Sequence, residues 1–351
     1  MRSMQVQAFG EPLVEAATET PQPQGHEVLL RVSAAGICHT DLHLWHGGYD
    51  LGGGRKLSLE ERGIKLPLVM GHETVGVVVA VGEQVEGVQP GDVRLIYPWL
   101  GCGQCASCAK GQENYCLKPN TIGINRPGGY ADHVLVPHER SLVPLRGLDP
   151  VRAAPLACSG LTCYSALKKF GLERLQEQVL VIFGAGGLGL MALKLLAGIG
   201  GKGAVVIEPN AERAQAAMDA GAMAVVDPTA ADAAEQVVAA VGGPVHAVLD
   251  LVGNEQTSST AFNLLTKGGH LVTIGLFGGA ANWPLPLLAI KALTIQGGYV
   301  GSLPELHELV ALVAEKQLEL IPVHTCGLSA IGDALRALEA GKVVGRMVVT
   351  P

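Results

Sequence analysis

The feature that most constrains the fold is a glycine-rich turn in the middle of the chain, between two apolar segments. Residues 179–183 read VLVIF, and residues 184–189 read GAGGLG. A short apolar run rich in β-branched residues and bounded by glycine predicts a buried parallel strand. The apolar residues 188–199 predict a helix directly after the turn. The stretch therefore predicts a strand, a tight turn and a helix in succession.

The glycines of this turn have the spacing G-x-G-x-x-G, which suits a dinucleotide. Gly184 permits the tight turn, Gly186 lets a pyrophosphate approach the backbone, and Gly189 lets the helix pack close to the strand. The helix N-terminus offers free N–H groups to the phosphates. The next predicted strand, residues 204–207, ends at Glu208, whose carboxylate would hydrogen-bond the ribose hydroxyls. This succession favours dinucleotide binding over a plain structural turn. Because Glu208 would repel a 2′-phosphate, it also favours NAD over NADP.

Composition indicates a globular chain of 351 residues, long enough for two domains. Hydrophobic residues make up 48% and charged residues only 16%, so a large core can be buried. The net charge of −7 and the lack of a basic cluster argue against a nucleic acid or an anionic membrane as partner. No uncharged apolar run is long enough to span a membrane. The N-terminus lacks the apolar core of a signal peptide, so we expect a cytoplasmic location.

The fold expected from the pattern of elements is α/β, with a doubly wound parallel sheet beside a mostly β domain. In the first 150 residues, short β-rich runs alternate with turn signals, and strands are predicted at 28–32, 75–81 and 134–136. The polar, glycine-rich segment 47–66 predicts a surface loop with one helical turn.

Between residues 160 and 300, apolar strands alternate with helical patterns, which predicts a Rossmann-type sheet. Strands are predicted at 179–183, 204–207, 224–226, 247–252, 270–274 and 293–295, and helices at 211–220, 231–241 and 256–265. In the tail, helices are predicted at 304–316 and 329–340 and a strand at 346–349. We expect this tail to pack back on the first domain.

Four of the eight cysteines lie in one short polar loop with the spacing C-x2-C-x2-C-x7-C. They are Cys102, Cys105, Cys108 and Cys116. Closely spaced thiolates can surround one tetrahedral ion, which suits zinc. The alternative is that these cysteines are buried or disulfide-bonded, but a reducing compartment and the polar loop argue against both. A zinc ion with four cysteine ligands has no open position, so its role would be structural.

Cys38, His72 and Cys158 lie far apart in the sequence. Cys38 comes after the predicted strand 28–32, His72 comes just before the next predicted strand, and Cys158 lies at the border of the nucleotide-binding domain. Two thiolates and an imidazole are a ligand set of catalytic zinc, with the fourth position open to water or substrate. Taken singly, a cysteine is more often just buried, and a histidine more often just hydrogen-bonded. Composition and periodicity do not join these three residues.

A resemblance does join them. The sequence resembles the zinc-dependent alcohol dehydrogenases of the medium-chain dehydrogenase/reductase superfamily, particularly the tetrameric microbial and archaeal type. The matching stretches run from end to end of the chain: residues 36–47, 71–78, 88–92, 128–137, 155–167 and 343–349, the four-cysteine loop and the glycine turn. The resemblance implies a GroES-like catalytic domain at 1–159 and 300–351 and an NAD-binding Rossmann domain at 160–299. It also implies NAD, two zinc ions per chain, a small alcohol, aldehyde or ketone as substrate, and a homotetramer that uses the apolar edge 293–300.

The resemblance also implies a role for individual residues. Cys38, His72 and Cys158 would hold the catalytic zinc, with Glu73 as an occasional fourth ligand and Asp41 as the partner that orients the His72 ring. Thr40 would pass the substrate proton through the cofactor ribose to His43. The cofactor would contact His39 and Arg346 at the pyrophosphate, Thr162 and Leu188 at the nicotinamide, Glu208 and Arg213 at the ribose, and Gly184, Gly186, Gly187 and Gly189 in the turn. Trp99 would form a wall of the substrate pocket. The sequence lacks the long insertion that the animal enzymes have near the substrate pocket and carries the extra loop 47–66, so the resemblance does not predict what forms the pocket lid.

Two other functions remain open at this point. One is a zinc-free quinone or enoyl reductase of the same superfamily, which the presence of Cys38, His72 and Cys158 disfavours. The other is a non-catalytic, zinc-stabilised NAD-binding redox sensor. A sensor needs no proton relay, so Thr40 and His43 argue for the dehydrogenase.

Overall fold

The computed structural model describes residues 1–351 and divides their strands among four sheets. The strands of the first half are β1 (Arg2–Val6), β2 (Val14–Ala17), β3 (Val28–Ile37), β4 (Gly48–Asp50), β5 (Lys56–Ser58), β6 (Leu68–Val69), β7 (Glu73–Val81), β8 (Val93–Ile96), β9 (His133–Val136) and β10 (Leu142–Pro144). The second half contains β11 (Leu180–Phe183), β12 (Ala204–Ile207), β13 (Ala224–Val226), β14 (Val245–Asp250), β15 (Leu265–Thr273), β16 (Thr294–Gly297), β17 (Val323–Cys326) and β18 (Arg346–Val349).

Twelve α-helices connect or cover these strands. They are α1 (His39–His46), α2 (Ala106–Ala109), α3 (Pro150–Ala153), α4 (Ser159–Phe170), α5 (Leu172–Glu177), α6 (Gly187–Gly198), α7 (Ala211–Asp219), α8 (Ala233–Val241), α9 (Glu255–Leu264), α10 (Leu285–Ile290), α11 (Leu303–Glu315) and α12 (Ile331–Glu339). Short 3-10 helices lie at Glu113–Tyr115, Glu139–Ser141, Ala154–Ala157 and Leu328–Ala330. No helix is both long and apolar enough to cross a membrane.

The six-stranded sheet has the order β13-β12-β11-β14-β15-β16, and every pair in it is parallel. The chain enters at the central strand β11, builds outward through β13, and then returns to build the other side. This is the doubly wound Rossmann order, whose reversal point lies beside the first strand. The α/β fold class expected from the sequence is therefore confirmed, with strand ends shifted by a few residues.

The mostly β part is built on the antiparallel pair β3 and β7. Its main sheet has the order β10-β8-β7-β3-β18-β17, with β9 also paired to β3. The last strand of the chain, β18, pairs antiparallel with β3 and parallel with β17, so the tail lies against the N-terminal sheet. The domain limits 1–159, 160–299 and 300–351 stay a prediction.

The segment 47–66 differs from its sequence-based expectation. It contains the two-stranded hairpin β4/β5, in which Tyr49 pairs with Leu57. Three successive glycines, residues 52–54, have positive φ and form the hairpin turn, a conformation that favours a tight reversal. The sequence did not predict this hairpin. A hydrogen-bonded turn follows it at residues 59–63, where the N–H of Gly63 donates to the Glu60 carbonyl at 2.9 Å, but the turn does not extend into a helix. The hairpin tip packs against residues 278–280, which follow β15.

The two main sheets share one hydrophobic core. It includes Leu30 of β3 and Ile182 of β11, with Leu161 of α4 also fully buried in the same cluster. A second, smaller core lies around Val181 and Val248 of the six-stranded sheet. Side chains of a strand alternate between faces, so neighbouring residues of β11 enter different cores. The shared core fixes the two sheets relative to each other.

The glycine turn between β11 and α6 is tightly constrained at two of its positions. Gly184 has φ +92°, a conformation that favours glycine. A Cβ atom on Gly189 would overlap the carbonyl oxygen of Gly184, whereas a Cβ on Gly186 would meet nothing within 4 Å. The close approach of helix and strand thus depends on Gly189, and the open side of the turn lies at Gly186.

We expect Gly189→Ala to lower the free energy of unfolding by about 1–3 kcal/mol, because the added methyl group forces the helix away from the strand. Gly186→Ala is the matched control, since its methyl group faces open space and its stability should stay close to wild type. Denaturant unfolding of the three proteins checks this. Equal stability of the two variants would contradict the packing role of Gly189.

Candidate functional site

A cleft of about 480 Å³ runs along the carboxyl ends of the parallel strands and reaches the N-terminal sheet. Its lining includes Phe183, Ile207 and Ile274 near the ends of β11, β12 and β15, and Cys38 and Thr40 near the start of α1. In doubly wound sheets, ligands bind in the crevice at this edge. The following site residues also line it: His39, His43, Trp99, Cys158, Thr162, Gly184, Gly186, Gly187, Leu188, Gly189, Glu208, Arg213 and Arg346.

Glu208 is fixed at the end of β12. Its carboxylate accepts hydrogen bonds from the backbone N–H groups of Ala185 (2.8 Å) and Asn210 (3.0 Å), and the residue is only 4% exposed. The Arg213 guanidinium lies 3.9 Å from Glu208 and donates to the backbone oxygen of Gly341 at 2.8 Å. A negative charge held rigidly at this point would disfavour a second anionic group nearby.

Cys38, His72 and Cys158 come together in the structure. The sulfur atoms of Cys38 and Cys158 are 3.9 Å apart, and the ligand atoms of all three residues lie within 4.8 Å of one another. Two sulfurs on one tetrahedral zinc, each about 2.3 Å from it, would be about 3.8 Å apart. The separation is too long for a disulfide. The three buried residues therefore fit a zinc ion.

The orientation of His72 supports the same fit. Its Nδ1 lies 3.3 Å from Oδ1 of Asp41, and neither of its buried ring nitrogens has an aligned hydrogen-bond partner. The Asp41 carboxylate is itself held by the Tyr130 hydroxyl (2.9 Å) and the Cys38 backbone N–H (2.8 Å). A carboxylate behind an imidazole fixes the ring and leaves the other nitrogen for a metal. A shared hydrogen bond with Cys158 also lowers the pKa of the Cys38 thiol, which favours the thiolate form that binds metal.

The four cysteines of the polar loop also converge. The Cys105 sulfur lies 3.5 Å from Cys108 and 3.8 Å from Cys116, and the ligand atoms of all four, including Cys102, lie within 4.8 Å of one another. All four are free thiols. These separations match the edges of a tetrahedral site with four sulfur ligands. The loop therefore fits a second, closed zinc site.

Glu73 and Arg346 have partners that the sequence did not indicate. They form a buried ion pair in which Nε of Arg346 lies 3.2 Å from one Glu73 oxygen and Nη2 contacts the other. Glu73 also accepts from the Ser159 backbone N–H at 3.1 Å. The two residues are 273 positions apart, so no local pattern could join them. The roles of Glu73 at the metal and of Arg346 at the pyrophosphate stay predictions.

The first turns of α1 place His39, Thr40 and His43 along the cleft. Burial, with the neighbouring His39 charge, lowers the pKa of His43. His43 therefore stays neutral at lower pH than an ordinary histidine, and its buried Nε2 has no hydrogen-bond partner. The hydroxyl oxygen of Thr162 is likewise buried without a partner. Unpaired buried polar atoms that face a cleft are positions where a ligand is expected to supply the missing partner.

Aromatic side chains form the wall beside the predicted metal ligands. Trp99 donates from Nε1 to the backbone oxygen of Ala157 at 3.0 Å, and its ring centre lies 5.4 Å from that of His72. Sequence reasoning found Trp99 but missed Tyr49, Phe277 and Tyr299, which also line the cleft. Phe277 and Tyr299 follow β15 and β16, so the rule that ligands bind beyond the carboxyl ends of parallel strands would have indicated them.

Comparison with known proteins agrees with this geometry. Family models match residues 24–147 as an alcohol dehydrogenase GroES-like domain and residues 187–315 as a zinc-binding dehydrogenase. An NAD-dependent alcohol dehydrogenase of Sulfurisphaera tokodaii is 35% identical over 353 residues, with 100% of both chains covered. A D-arabinose 1-dehydrogenase (NADP(+)) of Saccharolobus solfataricus is 30% identical and covers 98% of this chain and 95% of its own. Among solved structures, the alcohol dehydrogenase of Aeropyrum pernix superposes with a TM-score of 0.90 at 31% identity, with 100% of each chain covered. The chain therefore belongs to the zinc-dependent alcohol dehydrogenases of the medium-chain dehydrogenase/reductase superfamily.

Proposed function

We propose that this oxidoreductase interconverts primary or secondary alcohols with aldehydes or ketones, with NAD as hydride carrier and two zinc ions per chain. The observation that carries the proposal is that Cys38 and Cys158, at one end, and the glycine turn with Glu208, at the other, line the same cleft. A metal-bound substrate and the reactive end of a dinucleotide would meet there. The direct test is alcohol-dependent reduction of NAD by the purified protein.

The position of each residue in or beside the cleft indicates its role. Cys38, His72 and Cys158 would hold the catalytic zinc, and the four-cysteine loop would hold the structural one. When bound, zinc would polarise the oxygen of the alcohol or carbonyl group and NAD would carry the hydride. Asp41 orients His72, and Glu208 together with the open backbone at Gly186 favours the adenosine and pyrophosphate parts of NAD.

The proton path uses two side chains of α1. The hydroxyl of Thr40 would take the proton of the substrate alcohol, and His43 would accept it at the far end of the path. A neutral imidazole is needed for that step. The lowered pKa of His43 keeps the imidazole neutral through the neutral pH range.

The cleft wall favours a substrate with an apolar substituent. Tyr49, Trp99, Phe277 and Tyr299 present aromatic surface beside the metal ligands. The D-arabinose dehydrogenase relative suggests a sugar and NADP as alternatives. A 2′-phosphate would meet the buried Glu208 carboxylate, which argues for NAD over NADP. Aromatic rings accommodate apolar groups and the C–H face of a sugar, so comparing simple alcohols with D-arabinose as substrates decides between the two.

Homotetramer assembly remains a prediction, as does a cytoplasmic location. Support for contact between copies comes from β16, which is the outer strand of its sheet. On the neighbouring helix α10, Leu285 is 73% exposed and Ile290 is 67% exposed. An uncovered strand edge with large apolar side chains beside it is typical of a surface that pairs with a second chain.

Two variants separate the two zinc sites. His72→Ala should remove about one zinc ion per chain from a wild-type total of about two. It should lower kcat by several orders of magnitude, because the catalytic zinc is lost. NADH affinity and the unfolding temperature should stay close to wild type. Cys105→Ser should also reduce the zinc content, but its main effect should be a lower unfolding temperature, because a closed structural site couples metal binding to folding.

Zinc analysis, NADH titration, steady-state kinetics and thermal unfolding measure these effects. Near-normal turnover by a His72→Ala protein that has lost its zinc would overturn the mechanism and favour the zinc-free reductase. A wild-type protein with one zinc ion or none would overturn the two-site proposal.

Glu208→Gln should narrow the preference for NAD over NADP by about tenfold or more, equivalent to at least about 1.4 kcal/mol. The amide keeps an acceptor for the Ala185 N–H group but removes the negative charge that would face a 2′-phosphate. Glu212→Gln is the matched control, since Glu212 is an exposed acid in the first turn of α7. The measurement is kcat/KM with each cofactor. A wild-type preference for NADP would contradict the role of Glu208.

The pH dependence of alcohol oxidation should show the lowered pKa of His43. Because His43 must be neutral to accept a proton, kcat/KM should fall as the pH drops through that pKa, and this acid limb should lie below the usual histidine value of 6.5. His43→Gln should oxidise alcohol more slowly and lose the limb. His46→Gln, an exposed histidine on the same helix, should keep it. An unchanged acid limb in His43→Gln would exclude His43 as the proton acceptor.

A further inference from the structure

Two histidines face each other beyond the ends of a strand pair, on a part of the chain that does not line the cleft. β3 and β9 pair antiparallel, with Val28 opposite Val136. Continuing that register by two residues puts His26 opposite His138. Their rings stack with centres 4.4 Å apart and planes 5° from parallel. The sheet register itself therefore holds two imidazoles side by side.

The carboxylate of Glu139 lies against both rings. One oxygen is 3.2 Å from Nδ1 of His26, and the other is 3.0 Å from Nδ1 of His138. The Glu139 side chain is only 13% exposed, and the oxygen that faces His138 has no hydrogen-bond donor. The guanidinium of the next residue, Arg140, pairs with Glu113 at 3.2 Å. A buried carboxylate oxygen without a donor calls for a cation.

The ligand atoms of His26, His138 and Glu139 converge, lying within 4.8 Å of one another. Nδ1 of His138 accepts a hydrogen bond from the backbone N–H of Arg140 at 3.3 Å, which is the role of a neutral ring nitrogen with a lone pair. A cation bound there would supply a partner both for this nitrogen and for the Glu139 oxygen 3.0 Å away.

We propose that His26, His138 and Glu139 form a third metal site, separate from both cysteine-containing sites, that takes Zn²⁺ or a similar divalent transition ion. Two imidazoles and one carboxylate are a zinc ligand set, and imidazole disfavours Mg²⁺ and Ca²⁺. Both imidazoles are partly exposed, so each can rotate out of the parallel stack to direct a ring nitrogen at an ion beside the Glu139 carboxylate. The histidine side chains are 44% and 39% exposed, so the ion exchanges with solvent and water completes its coordination.

The test is equilibrium dialysis of the zinc-loaded full chain against a buffered micromolar concentration of free Zn²⁺, with millimolar Mg²⁺ present. Wild-type protein should bind about one more zinc ion per chain than either His26→Gln or His138→Gln. His46→Gln is the matched control: His46 lies 2.8 Å from Glu339, a histidine–carboxylate pair without a second imidazole, and this variant should bind as much zinc as wild type. The readout is a difference between proteins, so it does not depend on how many ions the cysteine sites hold.

A second measurement identifies the ligands. Cobalt(II) added to the zinc-loaded protein should give the weak absorption of nitrogen and oxygen ligands, and the His138→Gln variant should lose it. An intense thiolate-to-metal band would instead mean that cobalt has replaced zinc at the cysteines. Zinc binding should also raise the unfolding temperature of wild-type protein by about 2 °C or more, and of neither histidine variant. Equal zinc content in wild type and both variants, with the thiolate band alone or no cobalt absorption, would overturn the proposal and leave the cluster as an ion pair.

Discussion

The buried ion pair between Glu73 and Arg346 joins the segments that build the cleft. Glu73 begins β7 directly after the predicted metal ligand His72, and Arg346 begins β18 in the tail. Glu73 also accepts from the backbone N–H of Ser159, the residue after Cys158. A Cβ on Gly187 would lie 3.2 Å from the Arg346 guanidinium, so the glycine turn packs against the same pair. One interaction thus connects both sheets, the predicted metal ligands and the glycine turn.

The buried charges of Glu73 and Arg346 compensate each other. Arg346 and Glu73 are almost completely shielded from water, so removing either one alone would leave an uncompensated buried charge, which typically costs about 3–5 kcal/mol. Cys38 and Cys158 would add negative charge as metal ligands, and the metal ion would offset it. Replacing a buried ion pair by a hydrophobic pair is often neutral or stabilising, so stability alone does not account for this pair. The ion pair fixes the tail and places one positive and one negative charge beside the predicted metal ligands.

Local sequence patterns predicted those elements whose structure depends on residues that are close together in the chain. The strand Ala204–Ile207 and the final strand Arg346–Val349 were predicted at their observed limits. A short run of β-branched residues between turn signals is typical of a strand and of few other structures. The four-cysteine site could also be predicted, because all four ligands lie close together in the sequence. The hairpin of residues 48–58 was not, since its pairing depends on positive-φ glycines rather than on apolar periodicity. Cys38, His72 and Cys158 were joined only by family resemblance, because three different elements deliver them to one point.

The position of β18 has a consequence for biosynthesis. This strand lies between β3 and β17, so the sheet that begins in the first forty residues needs the last residues of the chain. During translation the six-stranded parallel sheet can form before β18 is made, whereas residues 35–37 of β3 stay unpaired on one side and Glu73 lacks Arg346. Contacts across more than three hundred residues form slowly, and exposed strand edges favour association with other chains. The interval before β18 leaves the ribosome is therefore when this chain most needs protection from aggregation.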